Sequence, residues 1–105
     1  MEARKEMARS AQIERRIVKI KQALADLGDM RPGSLSTQTR SWGGQYCQLS
    51  YTHLGKGRTE YVPQERLNTV RQQLANHNKF KDLVQEWVAL AIEFCKLKAT
   101  QDQRP

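Results

Sequence analysis

Apolar side chains fall in two rhythms along this chain. Ile13, Ile17, Ile20, Leu24 and Leu27 recur every three or four residues, which marks one seam of a helix with a coiled-coil cadence. Between Ser34 and Val62 the rhythm changes to single alternation, the period of strands. The helical period returns after Pro63 with Leu67, Val70 and Leu74, and continues through Phe80, Leu83, Val84, Trp87, Leu90, Ala91, Phe94 and Leu97. These patterns predict a helix over residues 2–27, a sheet over 34–62 and a long helix over 63–98.

Within the predicted sheet, Cys47, Leu49 and Tyr51 share one face of a strand, while Tyr46, Gln48, Ser50 and Thr52 share the other. An earlier strand repeats the alternation, with Leu35, Thr37 and Thr39 set against Ser34, Ser36, Gln38 and Arg40. Leu54 to Gly57 reads as a turn whose two glycines can take positive φ, leading into a third strand from Arg58 to Val62. Three strands with one apolar face need a helix to cover them, and Leu67 and Val70 are placed to do so.

The helix boundaries carry their own signals. Gly28, followed by Asp29 and Pro32, reads as a C-terminal cap, and Pro63 stands at a first helical position. Asn76-His77-Asn78 is the weakest point of the last helix, because Asn has poor interior propensity, and the pattern there fits either a break or one continuous helix. The residues from Ala99 to Pro105 offer no apolar anchor and are expected to form a flexible tail. The fold class is therefore α+β: a three-stranded antiparallel sheet between an N-terminal helix and a long C-terminal helix, with the helices forming a hairpin or a dimeric bundle. Residues 1–98 make a single domain on this reading.

Composition narrows the functional classes. A chain of 105 residues with 38% hydrophobic and 28% charged residues has room for one modest core, which argues against a multistep enzyme. Glu14, Arg15 and Arg16 interrupt the apolar positions of the first helix, so no spanning segment of roughly 20 apolar residues can be drawn, and a cytoplasmic location is expected. The net charge of +7 is unevenly placed. Residues 34–62 hold Arg40, Lys56 and Arg58 against one carboxylate, Glu60, so a polyanion would meet little repulsion there.

No catalytic or metal-binding set emerges. Cys47 and Cys95 are too few and too distant in sequence for a metal knuckle and read as reduced core residues. His53 and His77 have no cysteine or carboxylate at ligand spacing. Glu60, Glu65, Asp82, Glu86 and Glu93 fall on the exposed side of their patterns. Neither Gly43-Gly44 nor Gly55-x-Gly57 is followed by the helix and lysine of a phosphate-cradling loop. A non-enzyme without cofactors is expected.

Several short phrases, in this order, resemble a family of small uncharacterised bacterial proteins often encoded among transposon, plasmid and phage genes. They are Pro32-Gly33-Ser34-Leu35-Ser36, the aromatic strand Tyr46 to Tyr51, the turn Gly55 to Arg58, and Tyr61-Val62-Pro63 before a helix. Members commonly insert a cysteine-rich knuckle where this chain has Ser41-Trp42-Gly43-Gly44, so the resemblance implies no metal here. More distantly, the sheet-plus-helix arrangement is similar to the arm-type DNA-binding domain of tyrosine recombinases, a likeness of architecture that does not by itself fix function.

Two functional readings follow. In the first, the protein is a DNA-binding accessory protein of a mobile element and meets double-stranded DNA through the wet face of the sheet, using Gln38, Arg40, Trp42, Gln48, Ser50, Lys56 and Arg58. Trp42 stacks on a base or packs over the sheet edge. In the second, it is an adaptor whose helical arms recruit a transposase, a recombinase or a host protein. Ile13, Ile17, Ile20, Leu24, Trp87 and Phe94 are the expected oligomer interface, since the last helix is apolar over more than one partner helix can cover, and a homodimer follows.

Overall fold

In the computed structural model of the chain, residues 2–102 are described. Helix α1 spans Glu2–Ala25, strands β1, β2 and β3 span Ser34–Thr39, Gln45–His53 and Lys56–Val62, a short 3₁₀ turn spans Gln64–Arg66, and helix α2 spans Leu67–Asp102. The class is α+β, with the three-stranded antiparallel sheet between the N-terminal and the long C-terminal helix as the sequence pattern predicts. None of the described helices is long and apolar enough to cross a membrane.

The chain divides into two compact units. One combines the residues up to Asp26 with those from Phe80 onward, and the other is Leu27–Lys79.

The first unit is an antiparallel pair of helices. Arg9 holds Glu93 through two hydrogen bonds of 2.6 and 2.9 Å, and Arg16 holds Glu86 through two of 2.6 and 2.7 Å. As the number rises along α1 it falls along α2, which defines the antiparallel sense. Ile13, between these pairs, and Ile20, one turn beyond Arg16, are fully buried, and Ile17 and Leu24 are half-buried beside them. The Lys21 ammonium lies over the Trp87 ring, 5.4 Å from its centroid, a cation–π contact on the surface of the pair.

The second unit carries the sheet, in the order β1-β2-β3 with β2 in the centre. Leu49, Val62 and Val70 form its buried core, with Leu35, Cys47, Tyr51, Leu67 and Leu74 packed against it. The start of α2 thus covers one face of the sheet. Burying Leu, Val and Ile side chains contributes roughly 1.5–3 kcal/mol each, so this small cluster supplies most of the drive for packing helix on sheet.

Several boundaries differ from the sequence expectation, each for a local reason. Helix α1 ends at Ala25, and Gly28 is not a left-handed cap: a Cβ on Gly28 would lie 3.3 Å from the Asn76 amide, so the glycine makes room for that side chain. Pro63 is extended, with φ −64° and ψ 152°, and caps the 3₁₀ turn instead of opening α2. The β2–β3 turn has two residues, Leu54 and Gly55, both at positive φ, so Gly57 belongs to β3. Helix α2 is continuous through Asn76 to Asn78. The Asn76 amide donates to the Asp29 carbonyl at 2.8 Å and accepts from Gln72 at 3.0 Å, which offsets the poor propensity of Asn. At its far end α2 reaches Asp102, past the expected stop at Lys98. The Thr100 hydroxyl bonds back to the Lys96 carbonyl at 3.1 Å, and the remainder of the expected tail lies outside the described residues. Cys95 is exposed instead of belonging to a core, and Cys47 is half-buried at the edge of the sheet cluster; both are free thiols.

Candidate nucleic-acid interface

The ladder registers decide which side chains share a face, because directly opposed residues project to the same side of a sheet. Leu35 pairs with Leu49 and Leu49 with Glu60, while Cys47 pairs with Val62 and Tyr51 with Arg58. These residues therefore stand on the side covered by α2. The opposite side holds Ser34, Ser36 and Gln38 from β1, Tyr46, Gln48, Ser50 and Thr52 from β2, and Thr59 and Tyr61 from β3. It is an open face of hydroxyls, amides and two phenols with no charged side chain.

Glu60, the one carboxylate of the region, is turned away from that face and is engaged. Arg31 forks onto it with hydrogen bonds of 2.8 and 3.0 Å, and the Tyr51 hydroxyl donates to it at 3.0 Å. The Arg31 guanidinium first, and the Tyr51 hydroxyl after it, hold the Glu60 carboxyl below the usual glutamate range. The expectation that Glu60 falls on the exposed side of its strand is thus corrected, since it stands on the helix-bearing side and ties the Leu27–Gly33 loop to the sheet. Arg31 also lies over the Tyr51 ring at 5.3 Å, and its backbone amide donates to the Gln73 carbonyl of α2 at 3.1 Å.

The expected binding residues sort accordingly. Gln38, Gln48 and Ser50 share the open face, and the Gln38 amide donates to the Ser36 hydroxyl at 3.0 Å. Arg40 and Trp42 follow β1 at one end of that face. Lys56 and Arg58 are placed on the helix-bearing side by their pairing with His53 and Tyr51, at the other end of the sheet. The set is therefore a neutral face with cations at its two ends instead of one basic face. At about 3.3 Å per residue, β2 separates those ends by roughly 26 Å.

Tyr46 and Tyr61 were not singled out as binding residues, yet they complete the Arg40 end. Their ring centroids are 6.1 Å apart at 47°, and the Arg40 guanidinium lies 5.2 Å from the Tyr46 ring and 6.0 Å from the Trp42 ring. The tight turn behind them fixes the Arg40 backbone: its amide donates to the Gly44 carbonyl at 3.0 Å and its carbonyl accepts from the Gly43 amide at 3.1 Å. Gly43 and Gly44 supply the positive φ values of 99° and 82° that this turn requires. The alternation of β2 does place Tyr46 on the wet face, and the β3 register, which sequence leaves open, places Tyr61 beside it.

Of the expected oligomer interface, Ile13 and Ile20 are buried within the helical pair of a single chain, and Trp87 and Phe94 are half-buried with Lys21 and Lys98 over their rings. Val88 and Ile92, one turn apart on α2, are each 53% exposed. Among the described residues no group of three His, Cys, Asp or Glu is arranged to hold a metal ion.

No curated protein and no solved structure matches the chain. A family model does match, over residues 10–72, from the middle of α1 through the sheet to the start of α2. That span is more than half of the sequence, and the chain belongs to the family described as Domain of unknown function (DUF6788).

Proposed function

We propose that this protein binds double-stranded DNA through the open face of its sheet, as an accessory, non-catalytic protein. The observation that carries the reading is the division of chemistry across the sheet: neutral hydrogen-bonding groups in the middle, cations at both ends, and the one carboxylate turned away and neutralised by Arg31. The major groove is about 12 Å wide and presents donors and acceptors that Gln and Ser side chains can read, Gln pairing with the adenine edge. Arg40 at one end and Lys56 and Arg58 at the other supply cations for backbone phosphates, contacts that position a protein without specifying sequence. The net charge of +7 favours the encounter. The resemblance to proteins encoded in mobile elements fits such a role.

The test is fluorescence anisotropy of a labelled duplex across a salt series. With about three to six phosphate contacts, the log–log slope should be roughly −3 to −5. Changing Arg40, Lys56 and Arg58 together to Ala should abolish most of that slope while the circular dichroism spectrum stays native. Unaltered duplex binding by that folded variant would overturn the reading.

A second reading is favoured by Val88 and Ile92, exposed one turn apart on α2. Here the helical unit recruits a second protein or a second copy of the chain. Light scattering at tens of micromolar, with and without Val88→Lys and Ile92→Lys, distinguishes a self-associating face from a solvated one.

A further inference from the structure

The Arg40 end of the sheet has a shape and a charge that the duplex reading leaves unused. Thr39, Arg40, Ser41, Trp42, Tyr46 and Tyr61 line a shallow cleft of about 360 Å³, within the size range of small-ligand sites. Trp42 is 82% exposed and Tyr61 is 60% exposed, so two large ring faces are offered to solvent. Exposed aromatic surface beside a stacked guanidinium is a platform for a planar group.

The charge selects among planar or ring-seeking ligands. Three aromatic rings around one spot can cage a quaternary ammonium, but Arg40 already lies over two of them, and its positive charge repels a second cation. A proline-rich segment would use the rings and leave the guanidinium idle. Among the described residues no carboxylate forms an ion pair with Arg40, and stacking occupies the guanidinium face while leaving its edge donors available for an anion. A ring with an anion attached satisfies both features, and a nucleotide is such a ligand. The Thr39 and Ser41 hydroxyls add hydrogen-bonding groups for a base edge, and nothing lies within 4 Å of where a Cβ on Gly43 or Gly44 would project, so that side of the turn is open.

Internal base pairs of a duplex bury both faces against their neighbours and an end pair is held rigidly in the stack, whereas an unpaired nucleotide can turn its base face into this cleft while its phosphate meets Arg40. We infer that the Arg40–Trp42–Tyr46–Tyr61 corner binds one unpaired nucleotide of a DNA strand, its base stacked on the rings and its phosphate on Arg40. The substrate is then a duplex bearing a single-stranded end. This inference rests on the open-face reading, with which it shares the DNA and Arg40 but not the base-reading Gln38, Gln48 and Ser50.

Anisotropy with the full chain tests it on three probes: a blunt duplex, the same duplex with a short single-stranded overhang, and the overhang strand alone. The overhang should tighten binding about five- to hundredfold, the range that one stacked base supplies. Trp42→Ala should remove that preference, bringing the overhanging duplex to the affinity of the blunt one, Trp42→Phe should keep part of it, and Arg40→Gln should lower it. Trp42 is exposed, so these changes at the turn should leave the melting curve in place. Equal affinity for blunt and overhanging duplexes, or an overhang preference that survives Trp42→Ala, overturns the corner while leaving the open face standing. Binding of the strand alone with none of the blunt duplex overturns the open-face reading and supports the corner. Thymidine monophosphate competing as well as the strand at equal nucleotide concentration would make this a free-nucleotide site and overturn its assignment to DNA.

Discussion

Arg58 stands directly opposite Tyr51 in the β2–β3 ladder, and that pairing sends it to the side of the sheet that carries α2. Its guanidinium therefore cannot share a base-reading surface with Gln48, which faces the other way. In a duplex-binding assay, Arg58→Ala should weaken binding by the same factor on every sequence and reduce the salt slope by about one. Gln48→Ala should instead change the ranking of sequences at little cost in salt dependence. A sequence-dependent loss with Arg58→Ala would contradict the register argument.

Gly33 is expected to be the least replaceable glycine of the sheet unit. It sits at φ +121°, and a Cβ there would lie 2.5 Å from the Ser50 carbonyl oxygen and 3.0 Å from the Tyr51 Cβ. The backbone conformation alone penalises Ala by about 1–3 kcal/mol, and the clash adds to it. Gly57, inside β3 with nothing near its missing Cβ, should accept Ala without loss. Urea midpoints of Gly33→Ala and Gly57→Ala, measured side by side, check the contrast.

Leu54 is expected to cost stability where it stands. It occupies a left-handed conformation at φ +52° and is 87% exposed, so it suffers the Cβ penalty of roughly 1–2 kcal/mol with little packing in return. Asn followed by Gly suits a two-residue turn with both residues at positive φ. Leu54→Asn should raise the melting temperature by several degrees, at about 4–8 °C per kcal/mol for a chain of this class. A melting point at or below that of the parent protein would show that the Leu side chain makes an offsetting contribution.

The Arg31–Glu60–Tyr51 cluster makes part of the stability acid-sensitive. Its carboxyl titrates lower in the folded chain than in the unfolded one, so the unfolded chain takes up the proton first as pH falls. The contribution is complete above the ordinary glutamate value of about 4.3 and fades as pH drops through the lower folded value. Glu60→Gln should reduce stability at neutral pH and flatten the acid limb of the stability–pH curve. An acid limb unchanged in Glu60→Gln would place the sensitivity elsewhere.

In the helical unit, burial should outweigh charge. Ile13 and Ile20 are fully covered, and replacing either with Ala should cost about 2–5 kcal/mol through lost transfer and the cavity left behind. The Arg9–Glu93 and Arg16–Glu86 pairs are solvent-exposed, so Glu86→Gln and Glu93→Gln should have small effects that vanish at high salt. Chemical denaturation at low and high salt separates the two.

The elements were readable from period alone: a seam every three or four residues gives α1 and α2, and alternation through Cys47, Leu49 and Tyr51 gives β2 and its buried face. The β3 register was not readable. With glycines at both 55 and 57, turns of two, three or four residues all fit the pattern, and a three-residue turn would leave Lys56 in the turn and bring Arg58 to the open face. The two-residue turn places them on the other side, which is why the expected binding set divides. The continuity of α2 was equally hidden, because the bond that steadies Asn76 comes from Asp29, 47 residues earlier. Cys95 lay one residue off the apolar seam, and one step rotates a side chain by about 100°, enough to move it from core to solvent.

Arg9 and Arg16 are seven residues apart, as are Glu86 and Glu93. The helical unit is consequently graduated in steps of two turns. A slip of one helix past the other by a single turn would break both pairs at once. Excising seven residues from each helix, 10–16 from α1 and 86–92 from α2, would remove one pair and bring the flanking segments together with the other, Arg9–Glu93, still aligned. Within this unit, length is a quantity that can be shortened by whole steps without rewriting the sequence on either side.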